Sequence, residues 1–328
     1  MNNNSNNNTG FDVGSLKVVS MNVRGLRNPR KRRTLFHAFK KDKYDIICLQ
    51  ETHLTESDLP MIKKEWPLPV HLVAGTSNSK GLITLFSNKL SSSNINMKYV
   101  NERCMISQVL VNSENVLIYN IYAPCIEAEK PKFLIFIKNL VVLNTFNEQD
   151  HILIVGDFNT VLDNNLDIVS GLPHNVKTVE KFNNVVNDLL LVDIWRSAHP
   201  HRKEFTWSKV NPFVARRIDY IFASENLFPF CKDPTIKHLG FSDHKATTVC
   251  FDFTTFKRGP SFYKFNTSLL QDLEFVNIVS EEIKRIKSIP DLDPHLCWEY
   301  IKISVKDISM AYGRSLAYKR KREKKYSK

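Results

Sequence analysis

Residues 152–160 read ILIVGDFNT, an apolar and largely β-branched run that stops at Gly156 and delivers Asp157 and Asn159. Such a run predicts a buried β-strand. Side chains two residues apart on a strand point the same way, so we expect Asp157 and Asn159 to face one site and Phe158 to enter the core. Gly156 allows the backbone to turn or bulge without a side-chain clash. A carboxylate and an amide at the end of a buried strand indicate a place for chemistry.

The 328-residue chain is 42% hydrophobic, enough to bury a core in one large domain with an appendage, or in two domains. No stretch approaches 18 unbroken apolar residues, and the Asn-rich start lacks the apolar core of a signal peptide. We therefore expect an intracellular protein with no membrane partner, and disorder in residues 1–14. The six cysteines form no CxxC pair, which favours reduced core residues over a zinc site or disulfides.

A net charge of +12 favours an anionic partner. The excess is concentrated in the tail, because residues from Thr254 onward hold 16 Lys and Arg against nine Asp and Glu. Ser268–Ser288 and Pro294–Lys325 are predicted helices in this tail, and such a basic helix is more often a solvated face than a nucleic-acid contact. The basic block Arg27–Arg33 is either a phosphate contact or the solvated start of a helix.

Apolar strand patterns recur along the first 253 residues and are separated by turn signals and a few helical patterns. This mixture favours an α+β domain with two packed sheets and helices on their outer faces. Besides residues 152–160, the predicted strands are Leu16–Asn22, Tyr44–Glu51, Gly81–Phe86, Ser107–Val111, Val116–Tyr122, Glu204–Trp207, Arg216–Phe222 and Ala246–Phe253. The predicted helices are Lys31–Lys41, Lys132–Thr145 and Val179–Leu190.

Polar residues stand at or near six of these strand ends, where we expect them to gather along one edge. They are Asn22, Glu51, Tyr122, the pair Asp157 and Asn159, Asp219, and the triplet Ser242, Asp243 and His244. Each alone is weak: an Asn is often a turn residue, a Glu a surface acid, a Tyr or His a packed core side chain. Together they provide the groups needed for metal-assisted phosphodiester hydrolysis.

The chemistry assigns different tasks to these groups. Oxygen ligands such as Glu51 suit Mg²⁺, or Mn²⁺ as a second possibility. Asp157 is the candidate to orient and activate a water for in-line attack. A histidine beside an aspartate is protonated more readily, so His244 paired with Asp219 is a candidate to bind a phosphoryl oxygen.

Seven segments in order, MNVRGL, LQET, YNIYAP, GDFN, FTW, RIDYI and SDH, resemble the endonuclease/exonuclease/phosphatase superfamily. That superfamily includes deoxyribonuclease I and the apurinic/apyrimidinic endonucleases, and the chain looks most like the endonuclease domain of non-LTR (LINE-type) retrotransposons. The resemblance covers about residues 15–253. It implies a four-layered α/β sandwich of two packed, mostly antiparallel sheets flanked by helices.

The resemblance also implies roles for single residues. Glu51 matches the principal metal ligand, Asn22 an amide that helps position the metal, and Asp243 a further acid near it. Asp157 matches the residue that orients the attacking water, with Asn159 beside it.

Further matched positions concern the phosphate and the DNA. Tyr122 matches a phosphate-contacting tyrosine, and Asp219 with His244 matches a catalytic dyad. Thr206 and Ser242 are implied DNA contacts. Arg216 and Arg217 are candidates for minor-groove or phosphate contacts, with a plain surface role equally open.

The tail segment RGPSFYKFN and the helices after it resemble the linker that joins endonuclease to reverse transcriptase in retrotransposon polyproteins. Residues 254–328 are therefore predicted to be a basic helical linker towards a reverse transcriptase domain. The leading hypothesis is a Mg²⁺-dependent endonuclease that nicks one strand of double-stranded DNA, in the nucleus, and leaves a 3′ hydroxyl to prime reverse transcription. The alternatives are an abasic-site repair endonuclease, a phosphoesterase of small molecules or lipids, and a degenerate nucleic-acid binding module.

Overall fold

The computed structural model describes residues 14–76, 79–90, 95–112, 114–145, 150–254, 265–290 and 293–326. Of the Asn-rich leader predicted to be disordered, residues 1–13 lie outside these ranges. The chain divides into two compact units, residues 1–142 with 151–256 and residues 143–150 with 257–328. None of the described helices has the length and apolar character needed to cross a membrane.

The described residues of the first unit form fifteen strands. They are β1 (Ser15–Asn22), β2 (Ile46–Gln50), β3 (Val70–Val73), β4 (Leu82–Phe86), β5 (Ile95–Asn101), β6 (Cys104–Val111), β7 (Glu114–Tyr122), β8 (His151–Asp157), β9 (Ile168–Val169), β10 (Leu191–Asp193), β11 (Trp207–Lys209), β12 (Val214–Arg216), β13 (Asp219–Ser224), β14 (Cys231–Lys237) and β15 (Ala246–Asp252). The helices are α1 (Pro29–Lys41), α2 (Leu59–Glu65), α3 (Lys130–Asn144), α4 (Val176–Asp188), α5 (Ile194–Ala198), α6 (Leu273–Lys287) and α7 (Pro294–Tyr326).

Two six-stranded sheets carry the fold. The first has the order β14-β15-β1-β2-β4-β3 and the second β10-β13-β8-β7-β6-β5, with a small third sheet β11-β12-β9. Two neighbouring pairs are parallel, β1 with β2 and β7 with β8, and the other pairs are antiparallel. The predicted α+β class with mostly antiparallel sheets is confirmed.

Three apolar clusters define four layers. Side chains from both large sheets, such as Val18 and Ile118, meet in a central cluster. The outer face of the first sheet packs on α1 and α2 through residues such as Phe36. The outer face of the second sheet packs on α3 and α4 through residues such as Phe182. The layers therefore run helix, sheet, sheet, helix, which is the predicted sandwich.

Most predicted strands differ from the observed ones by one to three residues at an end, and three differ in ways that matter for the site. The strand predicted for 152–160 ends at Asp157, and the one predicted for 204–207 begins only at Trp207. The strand predicted for 216–222 is divided between β12 and β13. It breaks at Arg217, because this side chain turns into the protein to pair with Asp167 and Asp193.

The second unit contains the two predicted helices, observed as α6 and α7. They contact each other through the rings of Phe275 and Tyr312, whose centroids are 5.3 Å apart. The Tyr312 hydroxyl donates a hydrogen bond to the Glu274 carboxylate at 3.1 Å. Whether this unit serves as a linker stays a prediction.

Candidate active site at the strand ends

Strand pairing brings the polar residues together. In the parallel pair of β1 and β2, Asn22 lies opposite Gln50, so the next residue, Glu51, emerges beside Asn22. In the second sheet, Asp157 lies opposite Tyr122 on one side and opposite Asp219 on the other. Both sheets therefore present their polar ends at one edge of the sandwich.

Asn22 links the two sheets at this edge. Its amide nitrogen donates to the Glu51 carboxylate at 2.8 Å and to the Asp157 carboxylate at 2.9 Å. Its amide oxygen accepts the N–H of Arg24 at 3.0 Å. Because Asn22 is fully buried, these three hydrogen bonds fix the separation of the two acids.

Gly156 is required by a close approach of the backbone. Its φ is +138°, and an added Cβ would lie 2.0 Å from the carbonyl oxygen of Ile121 on the neighbouring strand. A side chain at this position would push β8 away from β7 and displace Asp157. The strand continues through Gly156 without the predicted turn or bulge, so the glycine is required by this close approach instead.

Asn159 reaches the site by a turn rather than by strand alternation. Its φ is +49°, in the left-handed region, and its N–H donates to the Asp157 carboxylate at 2.8 Å. Its amide nitrogen donates to the Ala123 carbonyl at 2.9 Å. Phe158 enters the core as predicted and stacks on Phe182 with ring centroids 4.8 Å apart.

Asp219 and His244 form a close pair. The Nδ1 atom of His244 lies 2.9 Å and 3.1 Å from the two Asp219 carboxylate oxygens, and its Nε2 atom lies 3.9 Å from Asp157. Burial alone would lower the pKa of His244, but Asp219 and then Asp157 and Asp243 raise it to about 9. The imidazole is therefore protonated at neutral pH, with Nε2 directed towards Asp157.

The pKa of Asp157 is raised as well, which in a carboxyl group favours the neutral form. Burial and the neighbouring Asp219 carboxylate raise its pKa to about 7, although His244, Asn22 and the Asn159 N–H act to lower it. Two buried carboxylates thus face one imidazolium. The cluster holds more negative charge than its own side chains neutralise.

Tyr122 lies at the same edge as a neutral phenol. Its hydroxyl is 3.4 Å from the Cys125 sulfur. Burial, the Cys125 thiol and the Glu51 carboxylate raise the pKa of Tyr122 far above its usual value. The hydroxyl is therefore a hydrogen-bond donor that lies close to Glu51.

The donor set fits a divalent cation. Ligand atoms of Asp157, Asp219 and His244 lie within 4.8 Å of one another, and Asn22 ties Glu51 to Asp157. The carboxylate oxygens of this cluster suit Mg²⁺ or Mn²⁺. The protonated His244 ring has no lone pair to offer a cation and serves instead as a hydrogen-bond donor.

Two predicted DNA contacts are corrected by burial. Thr206 is fully buried, and its hydroxyl oxygen accepts the N–H groups of Ile218 and Asp219 at 3.0 and 3.1 Å, so it positions the strand that carries Asp219. Arg217 is 1% exposed and is paired with carboxylates inside the protein. Neither side chain is free to contact a ligand.

The other predicted residues, Ser242, Asp243 and Arg216, differ in how far they are available to a ligand. The Ser242 hydroxyl donates to the Asn22 carbonyl at 2.8 Å and accepts the His244 N–H at 3.2 Å, so it ties this loop to β1 rather than facing outward. Asp243 directs one carboxylate oxygen to Arg24 and to the Trp207 indole. Its other carboxylate oxygen is buried without a hydrogen-bond partner among the described residues, so its role beside a metal stays a prediction. Arg216 is half-buried and donates to the Leu172 carbonyl.

Sequence reasoning missed a polar network behind the site. The Gln50 side chain of β2 donates to the Asn120 amide oxygen of β7 at 2.8 Å, and the Asn120 amide nitrogen donates to the Ile83 carbonyl at 3.1 Å. Both side chains are fully buried. They hold the two sheets together one strand position behind Glu51 and two behind Tyr122. A polar residue inside each apolar strand pattern was the available signal.

The comparison with protein families decides the class of this site. Residues 19–244 match the family described as the endonuclease/exonuclease/phosphatase family. The chain belongs to this family. The matched region extends from β1 to His244, so it includes every strand end that contributes to the site.

Similar proteins include a transposon protein. A 149 kDa protein of transposon TX1 from Xenopus laevis is 26% identical over 319 residues, which is 94% of this chain. The chain spans 24% of that protein's length.

Solved structures show the same fold. The AP endonuclease LMAP from Leishmania major aligns with a TM-score of 0.60 at 16% identity, over 73% of this chain and 88% of that one. An AP endonuclease from Archaeoglobus fulgidus aligns with a TM-score of 0.60 at 19% identity, over 72% and 99%. The endonuclease domain of TRAS1, a telomere-specific non-LTR retrotransposon, aligns with a TM-score of 0.55 at 13% identity, over 72% and 98%. These structures confirm the fold, and the family match over residues 19–244 confirms the predicted superfamily.

Proposed function

We propose that this hydrolase is a Mg²⁺-dependent DNA endonuclease that nicks one strand and leaves a 3′ hydroxyl. The observation that carries the proposal is the contact of the Asn22 amide with both Glu51 and Asp157, opposite the Asp219–His244 pair. This arrangement places a base, an acid and a cation-binding set within one cluster. Phosphodiester hydrolysis needs all three.

The chain's own residues account for the activation of the water and for the binding of the phosphate. Asp157 accepts a proton from the attacking water, and a pKa of about 7 suits this task near neutral pH. The water oxygen joins phosphorus and the bond to O3′ breaks; the departing O3′ takes a proton from solvent, which leaves a 3′ hydroxyl and a 5′ phosphate. His244 and Tyr122 donate hydrogen bonds to the phosphoryl oxygens, because one is an imidazolium and the other a neutral phenol.

Glu51 is the side chain that would hold the cation, and Asn22 keeps Glu51 and Asp157 at a fixed separation. A bound Mg²⁺ or Mn²⁺ ion supplies positive charge that offsets the negative charge developing on the phosphate. Asp243 is a further candidate ligand, because its second carboxylate oxygen is buried and has no hydrogen-bond partner among the described residues.

DNA is favoured over a small molecule by the hairpin of β11 and β12, which rises from the site. Two backbone hydrogen bonds join the base of the hairpin to the site: the Ser208 N–H donates to the Asp243 carbonyl, and the Lys245 N–H donates to the Thr206 carbonyl. Its tip exposes Val210 and Phe213. Proteins that bind the minor groove frequently insert apolar side chains of this kind.

The direct test is nicking of supercoiled plasmid by the full chain with Mg²⁺. We expect Glu51→Gln, Asp157→Ala and His244→Ala each to lower nicking by at least about 100-fold. Glu56→Gln and His201→Ala are matched controls at exposed positions and should retain the parent rate. If all three site variants nick as the parent does, the assignment fails.

A comparison of substrates distinguishes the proposed endonuclease from an abasic-site repair endonuclease. Intact and abasic duplexes of the same sequence should be nicked at similar rates, and a large preference for abasic DNA would instead establish a repair enzyme. Hydrolysis of an inositol phosphate without plasmid nicking would establish a small-molecule phosphoesterase.

A role in retrotransposition is proposed because a similar protein is encoded by a transposon. On this reading the nicked strand is nuclear DNA, and its 3′ end primes synthesis by a reverse transcriptase domain of the same polyprotein. A purified polymerase should extend the nicked plasmid directly, without prior removal of a 3′ phosphate. Failure of extension would contradict the priming role.

A further inference from the structure

We propose that Arg24 is a phosphate-binding residue that holds the DNA phosphate next to the one hydrolysed. This inference rests on the proposed DNA endonuclease function. It assigns a ligand position to Arg24, a basic side chain of the MNVRGL segment to which no role has been given above.

Arg24 stands at the mouth of the site on a fixed backbone. Its φ is +46°, in the left-handed region. Its N–H is held by the Asn22 amide oxygen, and its carbonyl oxygen accepts from the ammonium group of Lys31. The peptide on either side of Arg24 is therefore anchored, and one of the anchors is the residue that links Glu51 to Asp157.

The guanidinium group of Arg24 is anchored as well. One nitrogen lies 2.6 Å from the Asp243 carboxylate, and the Trp207 indole N–H donates to the same carboxylate oxygen at 3.0 Å. Asp243 immediately precedes His244, so this contact holds the guanidinium beside the acid side of the site. Trp207 prevents Asp243 from swinging freely.

Most of the guanidinium group nevertheless faces solvent, because the Arg24 side chain is 65% exposed. A guanidinium has five N–H donors, and Asp243 takes one of them. The others are presented outward in the planar geometry that binds phosphate oxygens. The position is thus preorganised for an anion that approaches from outside.

The local charge also favours a phosphate. Arg24 and Lys31 contribute two positive charges against the single Asp243 carboxylate. The Lys31 ammonium group donates to the carbonyl oxygens of Val23 and Arg24, so both positive charges lie on the same short segment. A phosphate bound at Arg24 would meet net positive charge, whereas the cluster around Asp157 has an excess of negative charge. The scissile phosphate and its neighbour therefore meet two different environments.

The test uses the full chain and a duplex nicked at one position. Single neutral methylphosphonates replace, in turn, the phosphates on either side of that position. We expect one methylphosphonate beside the scissile phosphate to raise the KM of the parent protein about tenfold. On unmodified DNA, Arg24→Ala should raise KM by the same factor while kcat stays within about twofold. In Arg24→Ala that methylphosphonate should have no further effect. Lys232→Ala, an equal charge change at an exposed position of β14, should retain the sensitivity.

Binding in EDTA provides a readout that does not need nicking. The slope of log affinity against log salt should fall in magnitude by about 0.9 in Arg24→Ala and stay at the parent value in Arg24→Lys, which keeps the charge. The inference is overturned if Arg24→Ala has the parent's slope, KM and methylphosphonate profile. Nicking of plasmid by the parent would in that case still support the proposed function. If the parent does not nick, the proposed function fails and the slope still decides whether Arg24 binds a phosphate. A fall in kcat together with lower thermal stability would make Arg24 a structural residue and overturn the inference.

Discussion

Replacing Asp157 with Asn should stabilise the protein while it abolishes nicking. Asp157 is 1% exposed, and burial and Asp219 raise the pKa of its carboxyl from 3.8 to about 7. The charged form is therefore disfavoured in the folded protein. Asparagine keeps the shape and one acceptor oxygen but removes the charge.

The sign and size follow from the two pKa values. Because the folded pKa lies above the unfolded one, the folded state binds the proton more tightly, and its stability is lost as the pH rises from about 4 to about 7. A difference of about three pK units corresponds to about 4 kcal/mol at pH 8. Weaker hydrogen bonds to Asn22 and to the Asn159 N–H offset part of this gain. We therefore expect a net gain of about 2 kcal/mol at pH 8, declining as the pH falls towards 4.

Thermal and denaturant unfolding in EDTA at several pH values measures this gain. An increase of several degrees in Tm is expected at pH 8, since 1 kcal/mol corresponds to about 2–4 °C for a domain of this size. Asp58→Asn is a control with the opposite sign: burial raises the pKa of Asp58, but hydrogen bonds from Thr55 and the charge of Arg27 lower it overall. An Asp157→Asn protein that is no more stable than the parent at pH 8 would refute the reasoning.

Two further predictions concern the residues whose expected DNA contacts were corrected. Thr206→Val leaves the buried N–H groups of Ile218 and Asp219 without their acceptor, which should cost about 1–3 kcal/mol of unfolding free energy; nicking kinetics should show a lower kcat at unchanged KM. Arg217→Ala removes the partner of Asp193 inside the protein and should cost about 3–5 kcal/mol in denaturant unfolding. Its DNA binding should keep the parent salt dependence, and a weaker dependence without loss of stability would restore the contact role.

The fold was predictable where apolar patterns are local. The central strands β2, β7 and β8 are largely apolar runs, which is typical of strands buried on both faces, and β1 has only Lys17 and Ser20 as polar residues between Leu16 and Met21. Edge strand β14 was missed because it contains Pro234 and changes register between Lys232 and Thr235. Such a strand forms only through its pairing with β15. The order of strands in a sheet likewise depends on pairing between distant segments, which a local pattern does not contain.

The site was predictable to the extent that its residues follow strands. Asn22, Glu51 and Asp157 could be identified because each ends a strong apolar run. The partners that orient them could not, because their contacts join distant parts of the chain: Arg24 meets Asp243 across 219 positions. In the sequence, Arg24 is one of many surface arginines. The role of Asn120 similarly depends on its hydrogen bond with Gln50, which is 70 positions away.

Under the proposed function, the opposite charges of the interior and the rim explain how one site takes both a cation and a polyanion. The buried acids around Asp157 would repel DNA if they faced it directly, and the fold prevents this by placing Arg24 outside them. The same residue, Asn22, accepts the Arg24 N–H and donates to Glu51 and Asp157. Cation binding inside and phosphate binding at the rim are therefore mechanically connected through one buried amide. Replacement of Asn22 should weaken both, whereas replacement of Arg24 should weaken phosphate binding alone.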